Sequence, residues 1–310
     1  MDFQINEFTG FKAGIVALLG RPNVGKSSLV NRILGVRVNI VSNKPQTTRD
    51  NLLAIYNGPD LQVVFRDMPG VHIPRHELGQ HLVRTARRGL EEIDLVCYMV
   101  EAGKRKLNDD DLLSCDILEE AGVPFILVVN KIDTSKEPEI QEIESAKELY
   151  CQNLNPIGTL AVSAKTGRNV DFLLDMIKTV IPEGYPYYPD DIIVDSSERF
   201  LASEFIREKI FQLTGMEIPH CTAVKVDEYK SPDEYPERKD LYIRATIFVE
   251  RDSQKKIIIG KGGSMIKRIG SLARTEIEKF TGHKVYLDLW IKVRKNWRRS
   301  PVEVRRMGYR

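Results

Sequence analysis

Apolar runs alternate with amphipathic stretches from Phe11 to about Ile181. The runs Ile15–Leu19, Leu61–Phe65, Leu95–Val100, Phe125–Val129 and Thr159–Val162 are short and almost free of polar residues, the pattern of strands buried on both faces. Between them, Ile140–Tyr150 and Val170–Ile181 carry apolar residues at helical spacing. This alternation predicts an α/β domain with a mostly parallel sheet and helices on both faces. Ligands of such sheets gather at the carboxyl ends of the strands.

The pattern changes at Pro182-Glu183-Gly184-Tyr185-Pro186-Tyr187-Tyr188-Pro189-Asp190-Asp191, which can propagate neither a helix nor a central strand. The sequence predicts a first domain over residues 1–184, a linker over 185–195 and a second domain over 196–310. The second begins with an amphipathic helix, Glu198–Leu213, and two strands, Thr222–Tyr229 and Leu241–Glu250. Lys256–Ile259 then leads through Gly260-Lys261-Gly262-Gly263 into a helix, Ser264–Thr281, and a last alternating strand, Val285–Val293. The order α-β-β-α-α-β makes this half a small α+β domain. No internal repeat or low-complexity tract is present.

A length of 310 residues suits two domains, each able to bury its own core. The net charge of +2 conceals a basic end: Lys284 to Arg310 holds nine Lys or Arg against Asp288 and Glu303. Such an end suits a polyanionic partner. Cys97, Cys115, Cys151 and Cys221 form no C-x-x-C pair, which points to reduced thiols rather than a disulfide or zinc framework. Met1-Asp2-Phe3-Gln4 shows no signal or myristoylation pattern, and no stretch approaches the roughly 20 apolar residues of a membrane span. The expectation is a cytoplasmic protein, with any contact at the cytoplasmic membrane peripheral.

The chemistry begins at Gly20-Arg21-Pro22-Asn23-Val24-Gly25-Lys26-Ser27, followed by Ser28. This fits G-x-x-x-x-G-K-[ST] between a strand and a helix, where backbone N–H groups can wrap a polyphosphate at the helix N-terminus. Lys26 would reach the β- and γ-phosphates, and the Ser27 hydroxyl would coordinate Mg²⁺. Asp67-Met68-Pro69-Gly70 follows a strand: the acid can hold Mg²⁺ through a water, and the glycine lets its N–H approach the γ-phosphate. Between them lies Asn43-Lys44-Pro45-Gln46-Thr47-Thr48-Arg49-Asp50. A threonine there, Thr48 in preference to Thr47, would complete the Mg²⁺ shell only when the γ-phosphate is present, as in a switch.

Asn130-Lys131-Ile132-Asp133 follows the strand Phe125–Val129. A carboxylate at Asp133 accepts from guanine N1–H and N2–H₂, a donor pair that adenine lacks. Asn130 suits the guanine edge, and the Lys131 stem can lie along the base. Ser163-Ala164-Lys165 would offer a backbone N–H to guanine O6. His72, His76 and His81 invite a metal reading, but Pro74 interrupts them and no further ligand motif completes a site. The stretch reads instead as a mobile polar switch, continued by Arg84, Arg87 and Arg88.

In the second domain, Gly260-Lys261-Gly262-Gly263 allows phosphates to approach bare backbone, with Lys261, Lys267, Arg268 and Arg274 supplying charge. Near the end, Lys295, Trp297 and Arg298 combine an aromatic with cations. Trp297 either stacks on a base or packs on its own domain. Trp290 alternates with the apolar face and reads instead as covering the sheet.

Together, the phosphate loop, T-T-R-D, D-x-P-G, N-K-x-D and S-A-K resemble the translation-factor-related GTPases, and within them the bacterial Era family. Members of that family join a P-loop GTPase domain to a KH domain of the second type, matching G-x-x-G on the α-β-β-α-α-β order. The resemblance covers nearly the whole chain. It implies a GTP- and GDP-binding, Mg²⁺-dependent switch that hydrolyses GTP, binds the 3′ end of small-subunit ribosomal RNA and acts in maturation of the small ribosomal subunit, as a monomer. GTP-bound switches would ready the KH domain for RNA, and hydrolysis would release it. Val71 stands where Ras-like enzymes carry a water-orienting glutamine, so intrinsic hydrolysis should be slow, with the water positioned by switch backbone or a partner. No catalytic side chain is assigned. Asn23 resembles the asparagine of potassium-activated GTPases, and is either a K⁺ ligand or a loop-shaping residue.

Rival readings are a tRNA-modification GTPase, whose folate-binding and inserted helical regions this sequence does not show, and a GTP-dependent module docking to a protein or membrane without an RNA-coupled role.

Overall fold

The computed structural model describes residues 10–39, 48–49, 51–215 and 217–309. The chain divides into two compact units; among the described residues the second comprises His76–Leu78 and the chain from Ser196, and the first comprises the rest.

In the first unit, β1 (Lys12–Leu19) leads into α1 (Lys26–Leu34), followed by β2 (Leu52–Gly58), β3 (Leu61–Asp67) and α2 (Glu77–Arg88). Then come β4 (Leu95–Glu101), α3 (Asp109–Ala121), β5 (Phe125–Asn130), α4 (Glu139–Tyr150), β6 (Gly158–Ala161), α5 (Val170–Val180) and the short β7 (Val194–Asp195). The sheet order is β6-β5-β4-β1-β3-β2-β7. β1 pairs parallel with β3 and β4, and β5 parallel with β4 and β6, whereas β2 runs antiparallel to β3 and β7.

Period-2 alternation divides the core between the faces. Val16 and Leu18 join Phe65, Cys97, Leu29 and Leu173 on one side; Ala17 and Leu19 join Tyr98, Val100, Ala86 and Leu118 on the other. Register brings the strand ends level: Leu18 pairs with Asp67, Leu19 with Tyr98, and Glu101 with Asn130. The carboxyl ends of β1, β3, β4 and β5 therefore share one edge, and apart from the segment carrying Thr48, which lies between α1 and β2, the phosphate, metal and base motifs follow one of these ends or that of neighbouring β6.

Two elements depart from the sequence expectation. Residues from Glu77 form the helix α2 where the sequence predicts a mobile polar segment; Leu82 and Ala86 give that helix a buried stripe beneath its exposed arginines. The proline-rich 185–195 stretch is fastened to the sheet edge. The buried Gln62 Oε1 accepts from Tyr187 N at 2.6 Å and Tyr188 N at 3.0 Å, and its Nε2 donates to Tyr188 O at 2.8 Å. Asn57 donates to the carbonyls of Asp190 and Ile192, and β7 then pairs with β2.

The second unit contains α6 (Glu198–Leu213), α7 (Glu217–Cys221), β8 (Ala223–Lys230), β9 (Leu241–Val249), α8 (Asp252–Ile259), α9 (Ser264–Thr281), β10 (Val285–Val293) and α10 (Pro301–Arg306). Apart from the short α7 and α10, this is the order read from the sequence. Its sheet, β10-β9-β8, pairs β9 parallel with β10 and antiparallel with β8, and a bulge lies between Val226 and Glu228. No helix among the described residues is long and apolar enough to cross a membrane.

Gln62→Ala removes the acceptor of two linker N–H groups. The expected loss is about 2 kcal/mol in urea unfolding, with faster proteolytic cutting inside residues 185–193.

Candidate nucleotide and nucleic-acid sites

The loop from Gly20 to Gly25 joins β1 to α1 in a conformation that its residue types permit. Gly20 and Gly25 have φ of 145° and 106°, and a Cβ on either would collide with Met99 O or Asn130 Nδ2 respectively. Asn23 sits exposed in the left-handed region at φ 67°, which asparagine tolerates. Lys26 is buried at the first turn of α1, and its Nζ donates to Gly20 O at 2.9 Å and Arg21 O at 3.2 Å. Burial lowers its pKa to about 8 against the opposing pull of the Asp67 charge. The loop is thus closed around its own lysine, which a polyphosphate would draw outward; Ser28 follows on the same helix.

Ser27 Oγ donates to Asp67 Oδ2 at 2.7 Å and lies 3.0 Å from Thr48 Oγ1. Asp67 is fully buried; desolvation raises its pKa, opposed by hydrogen bonds from Ser27 and Asn39 and by the Lys26 charge. Its Oδ1 has no hydrogen-bond partner among the described residues. Hydroxyls and a carboxylate oxygen are the hard donors that Mg²⁺ takes when phosphates and water complete its shell, so these residues fit that ion. Thr47 lies outside the described residues. No group of three or more His, Cys, Asp or Glu that could hold a metal occurs among them.

After β3, Met68 and Val71 turn their side chains into the core, and Val71 N donates to Gly20 O at 3.2 Å. Only the backbone of the Met68–Val71 turn can therefore face a ligand. A Cβ on Gly70 would come within 2.7 Å of Pro22 Cα, so the two loops pack backbone to backbone.

Asn130 takes a role that its motif alone does not reveal. It is buried, its Nδ2 donates to Val24 O at 2.7 Å, and its Oδ1 accepts from Ala164 N at 2.9 Å. The amide ties the phosphate loop to the 163–165 loop rather than waiting on a base edge, and a guanine O6 would share the Ala164 N–H with it. Ser163 Oγ donates to Asp133 Oδ1 at 2.7 Å, which fixes the carboxylate, and Lys165 is largely exposed beside it.

Three residues outside any motif complete the frame. Glu101, at the end of β4, accepts from Arg21 Nη2 at 2.5 Å and Lys131 Nζ at 2.9 Å. Arg32 in the last turn of α1 donates to the carbonyls of Ala164 and Lys165. Asn39 Nδ2 donates to Asp67 Oδ2 at 2.6 Å. Only the placement of Glu101 directly after an apolar strand hinted at a role.

In the second unit, Gly260, Gly262 and Gly263 all have positive φ, at 73°, 60° and 80°. The turn they form opens onto a groove of 1110 Å³ between α9 and β10. Lys261, Lys267, Arg268 and Arg274 are exposed on or beside it, and Leu272, Tyr286 and Leu289 line it. Lys295 is exposed beyond β10. Trp297 does not offer a stacking face: it is fully buried, donates Nε1–H to Cys221 O at 2.9 Å and stacks on Tyr309 at 6.0 Å. Its surroundings are Ala223, Phe248, Val304 and Met307, so it packs on its own domain. Arg298 is paired with Glu250 at 2.6 Å, which commits its charge inside the domain. The exposed aromatic at the groove is Tyr286. Trp290 is also exposed, on the same face of β10 as Tyr286 by the strand's alternation.

Comparison with known proteins agrees with both halves. The model of a 50S ribosome-binding GTPase matches residues 15–131, that of the elongation factor Tu GTP binding domain residues 80–183, and that of the KH domain residues 217–298. GTPase Era of Geobacter metallireducens is 45% identical over 304 residues, 96% of this chain and 98% of the relative. A solved variant of Aquifex aeolicus Era bound to GDP·AlF₄⁻ matches with a TM-score of 0.90 at 39% identity, covering 96% of this chain and 99% of its own. So does a structure of Era in complex with MgGDPNP and nucleotides 1506–1542 of 16S ribosomal RNA, with the same score, identity and coverage. The first family model names the large subunit and this structure a small-subunit RNA; the structure spans nearly the whole chain and carries more weight.

The depressed Lys26 pKa has a consequence for ligand-free stability. Between pH 8 and 10.5 the folded lysine has released its proton while the unfolded one retains it, so the unfolded state binds more protons and stability rises with pH. Thermal unfolding of Lys26→Met should lack that rise.

Proposed function

The chain belongs to the Era family of GTPases, and on that premise we propose that residues 20–28, Asp67–Val71, Asn130–Asp133 and Ser163–Lys165 bind GTP, while the groove beside Gly260–Gly263 takes the 3′ end of small-subunit ribosomal RNA. The observation that carries the nucleotide site is the Asn130 amide, which joins the phosphate loop to the loop next to the Asp133 carboxylate. One rigid frame then presents Lys26 to phosphates and Asp133 to guanine N1–H and N2–H₂.

Ser27, Thr48 and Asp67 would hold Mg²⁺, which supplies neutralising charge between the β- and γ-phosphates. Lys26 leaves its carbonyl partners for the phosphate oxygens. Gly70, whose missing side chain lets its turn pack on Pro22, would present its N–H to the γ-phosphate. The buried Val71 side chain offers nothing to an attacking water, so the turn's backbone orients it and intrinsic turnover is slow. Asn23, exposed at the loop tip, is suited to K⁺; equal GTP turnover in K⁺ and Na⁺ would contradict this role.

Single-stranded RNA suits the second groove because bare glycine backbone and four cations meet phosphates while Tyr286 stacks on a base. Lys295 extends the charge, and the buried Trp297 contributes through stability alone. A partner of this kind supports a cytoplasmic location and a role in small-subunit assembly.

Two results test these sites. Asp133→Asn should weaken GTP binding by about 3 kcal/mol, roughly a hundredfold, in equilibrium titration. Tyr286→Ala should cost about 1–3 kcal/mol of affinity for an oligonucleotide copying the ribosomal 3′ end. Trp297→Ala should instead lower unfolding stability by about 3–5 kcal/mol. Unchanged RNA affinity in Tyr286→Ala would remove it from the RNA path.

A further inference from the structure

The Asp67 carboxylate is held by more than the phosphate-loop serine. Asn39 is 4% exposed, and its Nδ2 donates to Asp67 Oδ2 at 2.6 Å. A carboxylate only accepts, so the nitrogen of the amide must face Asp67 and its oxygen must point elsewhere. That oxygen, Asn39 Oδ1, has no hydrogen-bond partner among the described residues, and neither has Asp67 Oδ1. Two buried, unsatisfied oxygens in one cluster with the Ser27 and Thr48 hydroxyls are costly unless a cation or its water completes them.

Asn39 is itself held rigidly. Asn31 Oδ1 accepts from Val38 N at 3.0 Å and Asn39 N at 2.9 Å, and Asn31 Nδ2 donates to Asn39 O at 2.7 Å. Asn31 and Ser27 lie one turn apart on α1. The same helix thus sets Ser27 directly and Asp67 through a strut of two asparagines.

We propose that Asn39 is a positioning residue of the divalent-cation site, fixing the Asp67 carboxylate so that Oδ1 is presented to the ion. Asn39 Oδ1 adds an acceptor where an ion that keeps part of its hydration shell needs one. The inference rests on the reading of Ser27, Thr48 and Asp67 as the Mg²⁺ site.

The test follows release of a fluorescent, non-hydrolysable GTP analogue from the full chain across a Mg²⁺ titration that begins in EDTA. Asn39→Ala should raise the Mg²⁺ concentration for half-maximal slowing of release about tenfold, with the EDTA rate unchanged. Asn31→Ala, which loosens the strut without touching Asp67, should shift it in the same direction by less. An unchanged Mg²⁺ midpoint in Asn39→Ala would overturn the proposal. Equal acceleration in EDTA and Mg²⁺ would also overturn it, by making Asn39 a support of the whole nucleotide site. If wild-type release ignores Mg²⁺ altogether, the metal reading fails first, a result distinct from the other two.

Discussion

A side-chain amide at the end of β5 approaches the phosphate loop so closely that only glycine can stand opposite it. Asn130 donates to Val24 O, and any Cβ on Gly25 would overlap the donating nitrogen. The other end of the amide accepts from Ala164 N. Asn130 is buried, so both bonds form away from competing water, and losing either would leave a polar group unsatisfied. The phosphate loop and the loops proposed to read the base are consequently parts of one frame. Glu101 and Arg32 repeat the connection on either side of it, the first through Arg21 and Lys131, the second through the carbonyls after β6.

The parallel sheet makes that frame available. With β1, β3, β4 and β5 ending level, short loops suffice to bring a lysine, a carboxylate and two hydroxyls together. What the edge lacks is a polar side chain after Gly70, since Val71 belongs to the core. A site of the proposed kind would hold GTP with many groups and offer few to its hydrolysis, which suits a timer whose release depends on a partner. The second unit offers the complementary chemistry: glycine backbone, exposed cations and one exposed tyrosine along a groove.

The five strands read as apolar runs were legible because strands buried on both faces leave little ambiguity, and the structure extends or shifts them by only a few residues. β2 was less so: it is an antiparallel strand near the sheet edge with an incomplete apolar pattern. The stripe of α2 was present in Leu82 and Ala86, but His76 and His81 before it and Arg84, Arg87 and Arg88 among and after it masked it. The motifs mark where these residues lie in the chain but not the bonds they make with one another. Asn130 carries its motif's position yet spends its amide on loops 106 and 34 residues away. Trp297 lies in a basic run, and its burial depends on Cys221, Phe248 and Tyr309, contacts that no local pattern encodes. Asn39, Arg32 and Glu101 belong to no motif; beyond the strand-end position of Glu101, only three-dimensional proximity discloses them.

GTP hydrolysis in the first unit is proposed to answer to RNA in the second. Its most direct measurement is steady-state GTP turnover with an oligonucleotide copying the 3′ end of small-subunit ribosomal RNA, set beside a scrambled sequence of equal length. Stimulation by the cognate RNA alone is expected, abolished by Lys261→Glu, whose exposed position leaves the fold intact. Turnover indifferent to both oligonucleotides, with RNA affinity equal in the GTP and GDP states, would contradict it.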